Sequence, residues 1–151
     1  MPEIYRTPPI EVEPEARGTI VVHCVDPRYQ PHFQHFMHEH LGLEHYALLA
    51  VPGGAHSLTL AEYLPKFHWA TWRWMKFTAD LMNCQRLILI GHEDCRWYLV
   101  GGFERDAAQL RARVIRDMHG VRAAVIERFP QIRVETYFAD LKGTQATFEA
   151  V

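Results

Sequence analysis

Four short apolar runs rich in β-branched residues constrain this chain most, because each is separated from the next by a stretch of helical periodicity. The runs are Thr19 to Val25, Tyr46 to Val51, Arg86 to Ile90 and Ile132 to Phe138. Runs of this length and composition read as strands buried on both faces. Between the first two, Gln30 to Leu41 sets Phe33, Phe36, Met37 and Leu41 along one helical stripe. Ser57 to Cys84 is longer, and Pro65 must start or kink a helix within it. Glu104 to Phe129 places Leu110, Val114, Ile115, Met118, Val121, Val125 and Ile126 on one side and ends at Pro130. Strand alternating with helix predicts an α/β fold: a mostly parallel sheet of about four to five strands flanked by helices.

With 151 residues the chain fits one domain. Residues 1–17 are rich in Pro and Glu without an apolar period and read as an N-terminal arm, suited to wrapping a neighbouring subunit. Residues 18–151 then form the single α/β domain, although the tail after Asp140 carries no readable pattern. A formal charge of −2 argues against a nucleic-acid partner. No apolar run approaches the ~18 residues of a membrane span. The N-terminus lacks an apolar signal core, and three cysteines, an odd number, suit a reducing compartment; the expected location is cytoplasmic.

A mostly parallel sheet also says where to look for function, since ligands bind beyond the carboxyl ends of its strands. After the first run come Cys24, Asp26 and Arg28; after the second, Pro52, Gly53 and Gly54; after the third, His92 and Cys95. Cys24, His92 and Cys95 make a Cys₂His set, which suits Zn²⁺ and leaves one of four tetrahedral positions open. Taken singly, each cysteine reads as a small core residue and His92 as a cap. Their joint place at two strand ends favours a metal site. In an extended chain positions 24, 26 and 28 share a side, and Pro27 biases Asp26 towards that conformation. Asp26 could then close the metal site as a fourth ligand, or be held away from it by the Arg28 fork. An exposed ion pair of little energetic weight is the plainer alternative.

Other polar clusters are less specific. His32, His35, His38 and His40 in "PHFQHFMHEH" read as a polar helix face or a subunit contact rather than a metal site. Glu93 and Asp94 lie between two better ligands and read as helix-start residues, favourable to the helix dipole. Cys84, just before the third strand, reads as a packing residue.

Cys24-x-Asp26-x-Arg28 followed by His92-x-x-Cys95 resembles the paired signature of the β-class carbonic anhydrases, over roughly residues 18 to 100. The resemblance implies Zn²⁺ on Cys24, His92 and Cys95, with Asp26 and Arg28 as the catalytic dyad. It implies reversible hydration of carbon dioxide to bicarbonate by zinc-bound hydroxide, a parallel-sheet core and a homodimer or higher homo-oligomer. Two departures fall near the expected pocket. Val51-Pro52-Gly53-Gly54 stands where the family commonly carries Arg-Asn-Ala-Gly, and Arg96 follows the second cysteine where the family usually has Gly. Gly53, Gly54 and Arg96 are therefore expected pocket residues. The departures keep two other readings open: hydrolysis of CS₂ or COS at the same site, and a non-catalytic zinc- or anion-binding protein.

Overall fold

The computed structural model describes residues 5–11, 18–59 and 61–151. Most of the expected arm, residues 1–4 and 12–17, lies outside them; residues 5–11 are exposed and have no regular secondary structure.

The central strand β1 (Thr19–His23) is buried at every position, as its β-branched run requires. It pairs in parallel with β2 (Ala47–Ala50) on one side and with β3 (Arg86–His92) on the other. Parallel pairing continues from β3 to β4 (Arg133–Lys142). The tail then folds back as β5 (Gln145–Ala150), antiparallel to β4, giving the order β2-β1-β3-β4-β5. The sheet is thus mostly parallel with five strands, as expected. Its antiparallel edge comes from the tail that carried no readable pattern. Gly143, at φ +60°, opens the two-residue turn that joins β4 to β5.

Period-two alternation divides each central strand between two cores. Ile20, Val22, Leu87 and Leu89 face one core, where α2 (Pro65–Leu81) brings Trp72, Met75 and Ala79. On the same side α4 (Ala107–Arg128) brings Leu110, Val114, Met118, Val121 and Val125. Val21, Ile88 and Ile90 face the other core, with Phe33, Phe36 and Met37 from the helix that follows β1. That helix, α1 (Gln30–His35), widens into a π turn over Phe36–His40, where the Leu41 N–H reaches back to the Phe36 carbonyl at 3.1 Å. Phe36 and Met37 both face inward, as their spacing from Phe33 predicts, and Phe36 stacks on Phe148 of β5 at 4.1 Å.

Local chemistry sets the helix ends. The Asp106 carboxylate accepts the Ala108 N–H at 2.9 Å and caps α4. Pro65 starts α2 rather than kinking a longer helix, so the segment expected from Ser57 to Cys84 divides. Before it lies a single 3₁₀ turn, Gly54–Leu58. Cys84 packs in the core, its thiol donating to the Arg86 carbonyl at 3.2 Å, and burial pushes its pKa up. No helix among the described residues is long and apolar enough to cross a membrane.

One ion pair ties β3 to β4. Arg86 holds Glu135 through two bonds, 2.8 and 2.9 Å, and Arg133 joins from beside it. These guanidinium bonds hold the Glu135 carboxyl down to about 2. A depressed carboxyl stabilises the fold above its unfolded value and loses that contribution as pH falls through the folded one. Glu135→Gln should therefore flatten the loss of stability between about pH 4.5 and about pH 2, measured by urea unfolding at stepped pH. An unchanged pH profile would show that the pair does not contribute.

Candidate metal centre

Parallel pairing of β1 and β3 sets the two strand ends side by side, with His23 opposite Ile90. Cys24 is the first residue beyond β1, and His92 is the last of β3. A turn through Glu93 and Asp94 then returns Cys95 to the same edge as the N-cap of α3 (Arg96–Val100). Asp94 makes this turn in the left-handed region at φ +53°, which Asp tolerates better than most residues. The ligand atoms of Cys24, His92 and Cys95 all lie within 4.8 Å of one another, and the two sulfurs are 4.0 Å apart. Tetrahedral zinc bonds of about 2.0–2.3 Å put ligands roughly 3.3–3.8 Å apart, so a small inward movement would suffice.

The imidazole is oriented for a ligand. His92 Nδ1–H donates to the Glu93 carbonyl at 2.7 Å, which leaves Nε2 as the lone-pair nitrogen. That Nε2 is buried and has no hydrogen-bond partner. Left so, a buried polar nitrogen costs stability. Two sulfurs and one unpartnered imidazole nitrogen fit a borderline-soft divalent ion. The thiols perturb each other: a hydrogen bond from Cys95 pushes the Cys24 thiol down, and the Cys24 sulfur pushes that of Cys95 up.

Asp26 and Arg28 stand at the mouth of this centre, though not on one extended strand. β1 ends at His23, and a turn follows in which the Tyr29 N–H reaches the Asp26 carbonyl at 3.1 Å. Arg28 nevertheless grips Asp26 with its fork: Nε to Oδ1 at 3.1 Å and Nη2 to Oδ2 at 2.7 Å. The Arg28 backbone N–H adds a third bond, to Oδ1 at 2.9 Å. Both carboxylate oxygens are thus engaged, and Arg28 holds the Asp26 carboxyl below its usual range. Asp94 is no mere helix-start residue, because its carboxylate accepts from Arg28 Nη1 at 2.7 Å. Its carbonyl accepts from Nη2 at 3.0 Å. One guanidinium therefore bridges the loops after β1 and β3.

Gly53 and Gly54 support Cys24 from behind. The Gly53 N–H lies 3.4 Å from the Cys24 sulfur, and Gly53 itself sits at φ +73°. A Cβ on Gly54 would come within 3.1 Å of the Cys24 backbone nitrogen. A Cβ on Gly53 would lie 2.2 Å from the Trp97 ring. The indole occupies that space because Trp97 Nε1–H donates to His56 Nδ1 at 2.9 Å. His56 is fully buried, stacks on Tyr98 at 4.3 Å, and burial pushes its pKa down to about 4. Sequence reasoning passed over this link; its only trace was His56 closely following the glycine pair.

Beside Cys24 lies a cleft of about 760 Å³, lined by Cys24, Asp26, Arg28, Arg96 and Trp97 with Val25, Pro27, Pro52, Val100 and Gly101. Arg96 is at its rim and exposed. The histidine-rich segment is elsewhere: His32, His35 and His40 line a separate cleft with Glu39 and Phe148. Among the described residues, the Cys24, His92 and Cys95 set is the close cluster of metal-ligating groups.

No family model matches the chain, and no curated protein matches it. Among solved structures it is similar to the crystal structure of a beta-carbonic anhydrase, isoform I, from the protozoan Trichomonas vaginalis. The two are 14% identical, over 95% of this chain and 87% of that one, with a TM-score of 0.49.

Gly53→Ala should force Trp97 out of its place and cost about 1–3 kcal/mol of stability, measured by urea unfolding. An unchanged midpoint would mean that Trp97 does not fill the space above residue 53.

Proposed function

We propose that this chain is a divergent β-class carbonic anhydrase that holds Zn²⁺ on Cys24, His92 and Cys95 and interconverts carbon dioxide and bicarbonate. The observation that carries the proposal is the buried, unpartnered His92 Nε2 beside two thiol sulfurs, under a cleft whose acid is already gripped by an arginine. When bound, Zn²⁺ supplies a water acidified to a pKa of about 7, a nucleophile at neutral pH.

The side chains would do the rest. Arg28 keeps Asp26 ionised through neutral pH and occupies both of its oxygens, which disfavours the carboxylate as a fourth ligand. A carboxylate so held can still accept one further hydrogen bond, and so orient the proton of the attacking group. Val25 and Val100, 43% and 82% exposed, border the cleft with Pro27, Pro52 and Trp97. Such a wall suits a small substrate without charge. Arg96 at the rim suits the departing anion. The working assembly in this proposal is a homodimer.

The apolar wall also supports a second reading, in which the same site hydrolyses CS₂ or COS with release of hydrogen sulfide. Assaying sulfide release beside carbon dioxide hydration separates the two.

Zinc-replete protein should carry one zinc per chain and hydrate carbon dioxide in a stopped-flow pH-indicator assay. Cys24→Ser should lose both metal and activity. Asp26→Ala should keep its zinc while the rate falls by about 100-fold or more. An inactive zinc-loaded protein at every pH would leave only a binding role, and an Asp26→Ala protein of full activity would remove the dyad from the mechanism.

A further inference from the structure

The outer face of α2 carries a row of apolar side chains that none of the described residues covers. Phe67, Trp74, Phe77 and Leu81 are 55%, 52%, 66% and 73% exposed, and Tyr63, just before the helix, is 75% exposed. The face that α2 buries is a different one, formed by Thr71, Trp72, Met75 and Ala79. Positions 67, 70, 74, 77 and 81 follow the alternating three- and four-residue spacing of a helix seam that packs against another helix. At these exposures the row leaves roughly 600 Å² of apolar side chain open. That is at the upper end for a patch on a monomer and close to the ~800 Å² each partner contributes to a standard interface.

The order of side chains along the row says what would cover it. Reflected about position 72, as two antiparallel copies around a two-fold axis would be, Phe67 meets Phe77 and Leu81 meets Tyr63. Ala70 meets Trp74, so the smallest residue of the row faces the largest. A surface that complements itself under a two-fold operation is what an isologous dimer requires.

We propose that two copies of this chain associate through their α2 helices, packed antiparallel about position 72, with the Ala70–Trp74 pairs at the centre. This names the surface of the homodimer included in the function proposed above. It does not depend on the metal, and the test reads assembly and zinc content separately.

Sedimentation equilibrium of the full chain over a wide concentration range should show a dimer. Trp74→Glu should raise the dissociation constant by about 30-fold or more. Its circular dichroism and zinc content should be unchanged. Trp74→Ala and Ala70→Trp should each weaken association, whereas the exchange variant carrying both should regain it, because the axis only swaps the two roles. A wild type monomeric throughout would overturn the proposal. So would a dimer indifferent to Trp74→Glu, or an exchange variant no tighter than its parents. A monomer that sediments with anionic phospholipid vesicles would overturn it too, in favour of a lipid surface.

Discussion

The parallel pairing of β1 with β3 is the interaction on which the candidate centre depends. Its register sets His23 opposite Ile90, so the chain leaves both strands at the same edge of the sheet. Cys24 and His92 meet there without any long loop having to be ordered. The pairing is itself secured by burial: Ile20, Val21, Val22, Leu87, Ile88, Leu89 and Ile90 are all at most 1% exposed. A one-residue slip would turn these side chains into the wrong cores and move one sulfur away from the imidazole. Selecting the fold and assembling the donors are thus one event.

Two further links hold the loops that the strands deliver. On one side Arg28 bonds Asp26 and Asp94 together, joining the loop after β1 to the turn after β3. On the other, the Trp97–His56 bond ties α3 to the 3₁₀ turn that follows β2, and Gly53 between them reaches the Cys24 sulfur. The Trp97–His56 bond requires a neutral His56 with Nδ1 as acceptor, which its burial favours. Cys24 and Cys95 are therefore positioned by contacts on both flanks of the cleft, and the cleft between stays open.

Much of this was legible in the residue pattern, for reasons that differ by element. Strands β1 and β3 are apolar and rich in β-branched residues because both faces are buried, so composition alone reveals them. The candidate donors were legible because Cys24, His92 and Cys95 are the residue types a metal site would need, placed at strand ends. The β4–β5 hairpin was not legible: β5 is an edge strand with one face on the core, and its run Gln145 to Ala150 offers few apolar residues. The π turn at Phe36–His40 was hidden because Phe33, Phe36 and Met37 keep the ordinary spacing of an α-helical stripe. The Asp94–Arg28 bond joins residues 66 positions apart, and only the β1–β3 register brings them together.

The centre does not have to hold the fold together, and this explains the groups it can tolerate. Small zinc domains spend their binding energy on folding, because they lack a core of their own. Here both faces of the sheet are covered by large cores, and most of the folding energy lies in that burial. The strand ends can then carry features that would be costly in a marginal domain. They include a buried nitrogen with no partner, a Cys95 thiol whose ionisation the neighbouring Cys24 sulfur opposes and an aspartate at positive φ. A divalent cation among the donors would relieve the first two together, accepting the lone pair and favouring both thiolates. The fold supplies the rigidity, and a ligand that satisfied these groups at once would be favoured at this edge.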